Sequence, residues 1–168
     1  GMGAVCHTLN PRLTAEHLAA MVSQSEARII IVDGDLVPLA LQVAEQVSGI
    51  RQILVINTPA PEQGPAAGRA TVASLEKLLA EGAGEPVVWG GFPETALSGL
   101  CFTSGTTGAP KGVAYTHRSS YLHTLRALQA DVMAITAQDA VLAVVPMFHA
   151  NAWGLPFAAP AVGAKLVL

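Results

Sequence analysis

An α/β fold with a mostly parallel sheet flanked by helices is predicted by three observations on the sequence. Strand-like and helix-like runs alternate along 168 residues, hydrophobic residues make up 51% with aromatics only 5%, and charged residues reach only 12%. Alternating strands and helices build parallel sheets through helical crossovers. An apolar mass of Ala, Val, Leu and Ile suits strands buried on both faces under small-residue helices. Charge at about half the roughly 25% of an ordinary globular domain also suits a piece of a larger domain, with apolar surface turned toward its other parts.

The elements follow in order. Residues 3–6 read as a short strand and Asn10-Pro11 as a turn. Thr14 is placed as an N-cap, with Glu16 in the first turn of a helix reaching about residue 23. The run 28–33 (RIIIVD) is β-branched and compact and is predicted to be a buried strand. Over 36–47, Leu36, Leu39, Ala40, Val43 and Val47 share one helical face; Gly49 ends that helix, and 52–56 is the next strand.

Segment 57–70 contains Pro59, Pro61, Gly64, Pro65 and Gly68, which predicts an exposed loop and a place where subdomains would divide. A short helix is expected near 71–80, then a second Gly/Pro-rich connection over 81–94. Strands are expected at 96–103 and 111–116, and a helix at 117–132 whose Tyr121, Leu122, Leu125, Leu128 and Val132 form an apolar stripe. A strand at 141–145, a broken helix at 148–162 and a strand at 165–168 complete the chain. Strand-like runs at both ends make truncation within a longer chain the expectation.

Several function classes fall away. Net charge is −3 without a basic run, so no nucleic-acid footprint exists. Cys6 and Cys101 stand far apart with no metal-ligand spacing, which fits a reduced, cytoplasmic setting. The apolar tail 152–164 is interrupted by Gly154, Pro156, Pro160 and Gly163. A spanning helix needs roughly 20 mostly apolar residues, so no transmembrane segment is expected.

Two runs carry chemistry. Thr103-Ser-Gly-Thr-Thr-Gly108 puts four hydroxyls and two glycines into six residues, with Pro110-Lys111-Gly112 close behind. Glycines let successive N–H groups converge into an anion-binding nest, hydroxyls add donors that also ligate Mg²⁺, and Lys111 adds a positive charge. Each of these favours a polyphosphate. A surface turn rich in Ser, Thr and Gly is the bland alternative, but such turns seldom end in Pro-Lys-Gly between two apolar strands. A Walker A loop requires Gly-Lys-Ser/Thr opening a helix, whereas Lys111 follows Pro110 and precedes the strand-like Val113-Ala-Tyr115. No Gly-x-Ser-x-Gly elbow surrounds any serine, which argues against a hydrolase.

The second run is Pro146-Met-Phe-His-Ala-Asn-Ala-Trp153, after an apolar strand. Ligand crevices open at the carboxyl ends of such strands, which puts Phe148 and His149 near one. Taken alone, His149 is equally a capped or core histidine, and Trp153 is more often core than pocket wall. His117 and His123, six apart, lie on different helix faces and form no metal pair.

The full run Phe102-Thr-Ser-Gly-Thr-Thr-Gly-Ala-Pro-Lys-Gly112 resembles the phosphate-binding motif of the adenylate-forming (AMP-binding) superfamily, with Phe102 as an allowed variant. The run 146–153, together with Gly3-Ala-Val-Cys-His-Thr-Leu-Asn-Pro-Arg-Leu13 and Val113-Ala-Tyr-Thr-His-Arg118, is similar to the medium- and long-chain fatty acyl-CoA synthetase branch. The resemblance is diffuse only across 57–95.

It implies that these residues belong to the large N-terminal domain of such an enzyme, with its small C-terminal domain absent. Thr103 then looks like a Mg²⁺ ligand, and Ser104, Gly105, Thr106, Thr107, Gly108 and Lys111 like the cradle for the ATP phosphates. His149 is implied as the catalytic residue beside the carboxylate and adenylate, Ala150 as a backbone contact there, and Trp153 as a gate to an acyl tunnel.

The implied reaction activates a fatty acid with ATP to an acyl-adenylate and passes the acyl group to coenzyme A. A cytoplasmic enzyme, peripheral to the membrane at most, and a homodimer at full length are the accompanying expectations. The family's Tyr-Gly-x-Thr-Glu and Thr-Gly-Asp runs and its adenylation lysine are missing from this sequence, so 168 residues alone are expected to be inactive. Three alternatives stand beside this reading: a ligase or adenylation domain for an aryl or amino acid, a non-catalytic ATP-binding module, and a membrane-associated structural fragment. No Asp lies within 146–162 to meet an amino acid's ammonium, which favours an uncharged acyl chain.

Overall fold

A computed structural model describes residues 2–58, 70–82, 84, 86, 88–103 and 110–167. In chain order the elements are β1 (Cys6–His7), α1 (Ala15–Gln24), β2 (Ile29–Asp33), a 3₁₀ turn (Gly34–Leu36), α2 (Val37–Gln46), β3 (Gln52–Ile56), β4 (Thr71–Ser74) and α3 (Leu75–Glu81). They continue with β5 (Leu97–Thr103), β6 (Lys111–Thr116), α4 (His117–Ala127), β7 (Ala140–Leu142), α5 (Ala150–Trp153), α6 (Leu155–Ala161) and β8 (Lys165–Val167). The architecture is α/β, and the chain divides into two compact units, Asn10–Val87 and Gly1–Leu9 with Val88–Leu168.

The unit Asn10–Val87 is a three-stranded parallel sheet in the order β2-β3-β4. Its central strand supplies Ile53, Leu54 and Val55 to the core, and α1 and α2 cover them with Leu18, Met21, Val22, Val37, Ala40, Val43 and Ala44. Burying each large aliphatic side chain contributes about 1.5–3 kcal/mol. Helix α1 starts where expected, because the Thr14 side chain accepts the His17 N–H.

Two expectations for this unit need correction. The run at 28–33 is not a buried strand: β2 is an edge, with Ile29 51% and Ile31 55% exposed. Side chains alternate across a strand, so Ile30 and Val32 lie half-buried on one face while Ile29 and Ile31 lie on the open one. The helix expected at 71–80 begins as strand β4, since Thr71 and Val72 are β-branched and pair with β3, and α3 starts only after the Ser74 cap.

The other unit holds the sheet β1-β5-β6 and the parallel pair β7-β8. Strand β5 is central, parallel to β1 and antiparallel to β6, so this sheet is mixed. Helix α4 opens on a capping box in which Thr116 and Ser119 satisfy each other's backbone N–H groups, and it ends at Ala127 rather than near residue 132. The expected apolar stripe does not face the core: Tyr121 is 64%, Leu122 54% and Leu125 46% exposed. Helix α4 instead buries Thr124 and Ala127, small side chains that permit close packing. Among the described residues, no helix is long and apolar enough to cross a membrane.

Candidate functional site

The glycine-rich run is carried on an antiparallel hairpin. Strands β5 and β6 run from the Leu97↔Thr116 pair to Thr103↔Lys111, the pair on either side of residues 104–110. Ser104, Gly105, Thr106, Thr107 and Gly108 lie outside the described residues. Thr103 is exposed, and its Oγ1 donates at 3.5 Å to the Lys111 carbonyl. Lys111 is also exposed and, among the described residues, forms no ion pair.

The flanking motif positions have a packing reason. Phe102 is the register partner of Gly112, and a Cβ at Gly112 would sit 3.2 Å from Leu100 and 3.4 Å from the Phe102 ring. The aromatic side chain thus lies against bare backbone, and its other neighbour is the His7 ring at 5.0 Å. Burial holds His7 below its ordinary pKa, so the ring is biased toward its neutral form.

The His149 run folds in an unexpected way. Segment α5 is a single turn of left-handed backbone: φ is 46° at Ala150, 49° at Asn151, 49° at Ala152 and 56° at Trp153, followed by 74° at Gly154. A left-handed conformation costs a non-glycine residue roughly 1–2 kcal/mol, so four in a row persist only under external restraint.

The restraints come from distant residues. The Cys101 thiol donates to Asn151 Oδ1 at 2.9 Å, Thr8 Oγ1 donates to the Met147 carbonyl at 2.9 Å, and His123 Nε2 lies 3.0 Å from the Trp153 carbonyl. Since a carbonyl only accepts, His123 Nε2 carries the proton in that contact. Ala152 is fully buried beneath the turn, and a Cβ at Gly154 would meet His123 Cδ2 at 2.6 Å. The His149 N–H donates to the Pro146 carbonyl, and the His149 carbonyl accepts from Ala152.

A cavity of about 370 Å³ opens beside this turn, lined by Tyr115, Ser119, Ser120, His123, Ala150, Asn151, Trp153, Gly154 and Phe157. That is within the range of small-molecule sites, roughly 300–1,000 Å³. Trp153 and Phe157 supply apolar wall, while Tyr115 and the two serines supply hydroxyls. Burial, with the nearby Cys101 thiol as a smaller contribution, raises the Tyr115 pKa, so its phenol stays protonated and able to donate. Among the described residues, none of the lining side chains is acidic.

Of the residues singled out in the sequence, Ala150 and Trp153 therefore share this cavity, while His149 is exposed and outside its lining. Thr103 and Lys111 stand at the hairpin end. Gly99, Cys101 and Thr103 alternate onto one face of β5, and Cys101 to Thr103 is a step of about 7 Å along the strand. Periodicity missed Thr8, Cys101, His123 and Asn151; the only signals were an asparagine, which tolerates left-handed backbone, and the glycine after Trp153.

Comparison with known proteins follows from this geometry. The family model described as AMP-binding enzyme matches residues 1–168. The chain is 38% identical over 171 residues to a medium-chain-fatty-acid–CoA ligase of Ectopseudomonas oleovorans, covering 100% of itself and 30% of that protein. It is 42% identical over 168 residues to a long-chain-fatty-acid–CoA ligase of Thermus thermophilus, covering 100% of itself and 29% of that protein. In fold it resembles a solved anthranilate CoA ligase in complex with anthranoyl-AMP, with a TM-score of 0.81 at 22% identity over 99% of this chain and 30% of the other. The chain thus spans about 30% of the length of the curated relatives it matches.

Proposed function

The chain belongs to the AMP-binding enzyme family, and on that premise we propose that it is the phosphate-loop and acyl-pocket segment of an ATP-dependent fatty-acid–CoA ligase. The observation that carries the reading is that one strand, β5, ends in Thr103 of the phosphate run and, two residues earlier, docks the turn bearing Trp153 through Cys101. Phosphate-side and acyl-side groups thus share one rigid element.

In this reading a carboxylate oxygen attacks the α-phosphorus of ATP and pyrophosphate leaves. The thiol of coenzyme A then displaces AMP from the acyl-adenylate. The barrier to the first step is the meeting of two anions. A well-placed donor or cation contributes about 2.7–4 kcal/mol against it. Lys111, whose ammonium is unpaired among the described residues, is placed to neutralise phosphate charge, together with the expected cradle Ser104, Gly105, Thr106, Thr107 and Gly108.

Thr103 offers Mg²⁺ a hard hydroxyl oxygen at the exposed strand end, and the second ligand that the family resemblance implies, the Glu of the Tyr-Gly-x-Thr-Glu run, is missing from this sequence. When bound, the ion neutralises charge on the phosphates. His149 orients the carboxylate, the Ala150 backbone contacts the adenylate, and Trp153 closes the mouth of the cavity over the acyl chain. The absence of an acidic side chain in the lining favours an uncharged acyl tail over an amino acid.

ATP–pyrophosphate exchange by the full-length protein, measured across carboxylates of increasing chain length, tests the reading. Exchange that depends on a fatty acid is expected, and residues 1–168 alone are expected to give none. Silence of the full-length protein with every fatty acid would sink the proposal. In Trp153→Ala the chain-length preference should shift severalfold in kcat/KM. An unchanged preference would remove the gate role.

A further inference from the structure

The proposed function leaves Asn151 without a role, yet the structure surrounds it with more specific contacts than its neighbours. Its backbone is left-handed, with φ of 49°. Its carboxamide is held against β5: Oδ1 accepts from the Cys101 thiol at 2.9 Å, and Nδ2 sits where a Cβ on Gly99 would come within 3.3 Å. Cys101 is only 3% exposed, so the bond is shielded from water. Thr8 Oγ1 lies 3.7 Å from the same sulfur while donating to the Met147 carbonyl, which ties the approach to the turn to the same point.

We infer that Asn151 is a positioning residue that locks the left-handed turn bearing Ala150 and Trp153 onto strand β5, so that the acyl side of the site is set from the strand that delivers Thr103. This deepens the proposed function and rests on it. Three features make asparagine the fitting residue. It tolerates left-handed backbone better than other non-glycine residues. Its amide plane is thin enough to lie over Gly99. Its carbonyl gives the Cys101 thiol an acceptor closer than the Met147 carbonyl, which is 3.9 Å from the same sulfur. Among the described residues no hydrogen bond of this network reaches the Lys111 side chain, so loosening it should disturb the carboxylate and adenylate side and leave the binding of the ATP phosphates alone.

The test uses the full-length protein and three substitutions: Asn151→Gly keeps left-handed freedom and removes the amide, Cys101→Ala removes the donor, and Gly99→Ala presses on the amide from the strand. Asn151→Gly and Cys101→Ala are each expected to raise KM for the carboxylate about tenfold, with KM for ATP within about twofold, and the double substitution to remain near tenfold because both remove one interaction. Gly99→Ala should shift KM in the same direction. A hundredfold effect in the double variant, a parallel rise in KM for ATP, or wild-type constants in both single variants would overturn the inference. If Asn151→Gly does not fold, Cys101→Ala and Gly99→Ala still decide.

Should the wild type show no carboxylate-dependent exchange, the proposed function fails and the lock is read independently of activity. In a background where Cys101 is the only cysteine left in the full-length protein, iodoacetamide alkylation of buried Cys101 should accelerate about tenfold on Asn151→Gly through local opening of the turn. An unchanged rate at an unchanged melting temperature would sink the lock by itself.

Discussion

The two units of this chain are built from different materials. Among the described residues, the largest fully buried side chains, Ile50, Ile53, Val22 and Val55, lie in the unit Asn10–Val87. In the unit that holds the candidate site, the buried apolar residues among those described are Cys101, Ala127, Ala152, Ala158, Ala159 and Ala164, all small. Backbone strain is distributed the opposite way: of the seven described non-glycine residues at positive φ, five, Ala134 and Ala150 to Trp153, are in the site unit. One unit is held by the area of apolar surface it buries; the other is held by specific hydrogen bonds and close contacts. The difference teaches that the described residues give the site unit little apolar depth of their own, and its response to substitution should follow.

The largest expected effect is on the well-packed side. Ile53→Ala removes a fully buried side chain from the central strand and should cost about 2–5 kcal/mol, read from chemical denaturation followed by circular dichroism. A cost below 1 kcal/mol would break the contrast, because it would mean that β3 is not the core that its burial indicates.

Gly154→Ala probes the restrained side. The residue sits at φ of 74°, and the new methyl would meet His123 Cδ2 at 2.6 Å. Strain of about 1–3 kcal/mol is expected, together with loss of the hydrogen bond between His123 and the Trp153 carbonyl. Trp89 and Trp153 both belong to this unit, so within residues 1–168 tryptophan emission reports on it. An unshifted emission transition would show that the turn is not under restraint.

The smallest effect is a pH dependence that separates the units. Burial lowers the folded pKa of His7 from 6.5, so between the folded and unfolded values the unfolded chain binds more protons. Stability carried by neutral His7 is complete above the unfolded value and is lost as pH falls through the folded one. Glu76, in the other unit, is lowered from 4.5 by its own backbone N–H, then the Asn57 N–H, then the Ser74 hydroxyl. Its contribution is present above the unfolded value and is lost only at more acid pH. On acidification the tryptophan-detected midpoint should therefore begin to fall below about pH 6.5, before the Glu76 contribution is touched. A fluorescence midpoint constant from pH 7 to about pH 5 would contradict the assignment of a buried, neutral His7.

Much of this was legible beforehand. The glycine-rich run is placed between two strands by Pro110 and the strand-like Val113-Ala-Tyr115 after it, and the structure has a strand on each side. Thr14 was recognisable as a cap because its side chain and the helix it starts are adjacent in sequence. The edge position of β2 and the outward stripe of α4 were not legible. Periodicity reports which residues share a face but not whether anything covers that face.

By itself, the sequence determined the α/β class and the strands on either side of the glycine-rich run, both properties of neighbouring residues. The tertiary structure alone decided the antiparallel pairing of β5 with β6 and the left-handed hand of the turn 150–154. The turn's own residues prefer right-handed backbone. What reverses them is a thiol 50 positions away and an imidazole 30 positions away, contacts that exist only once the chain has folded.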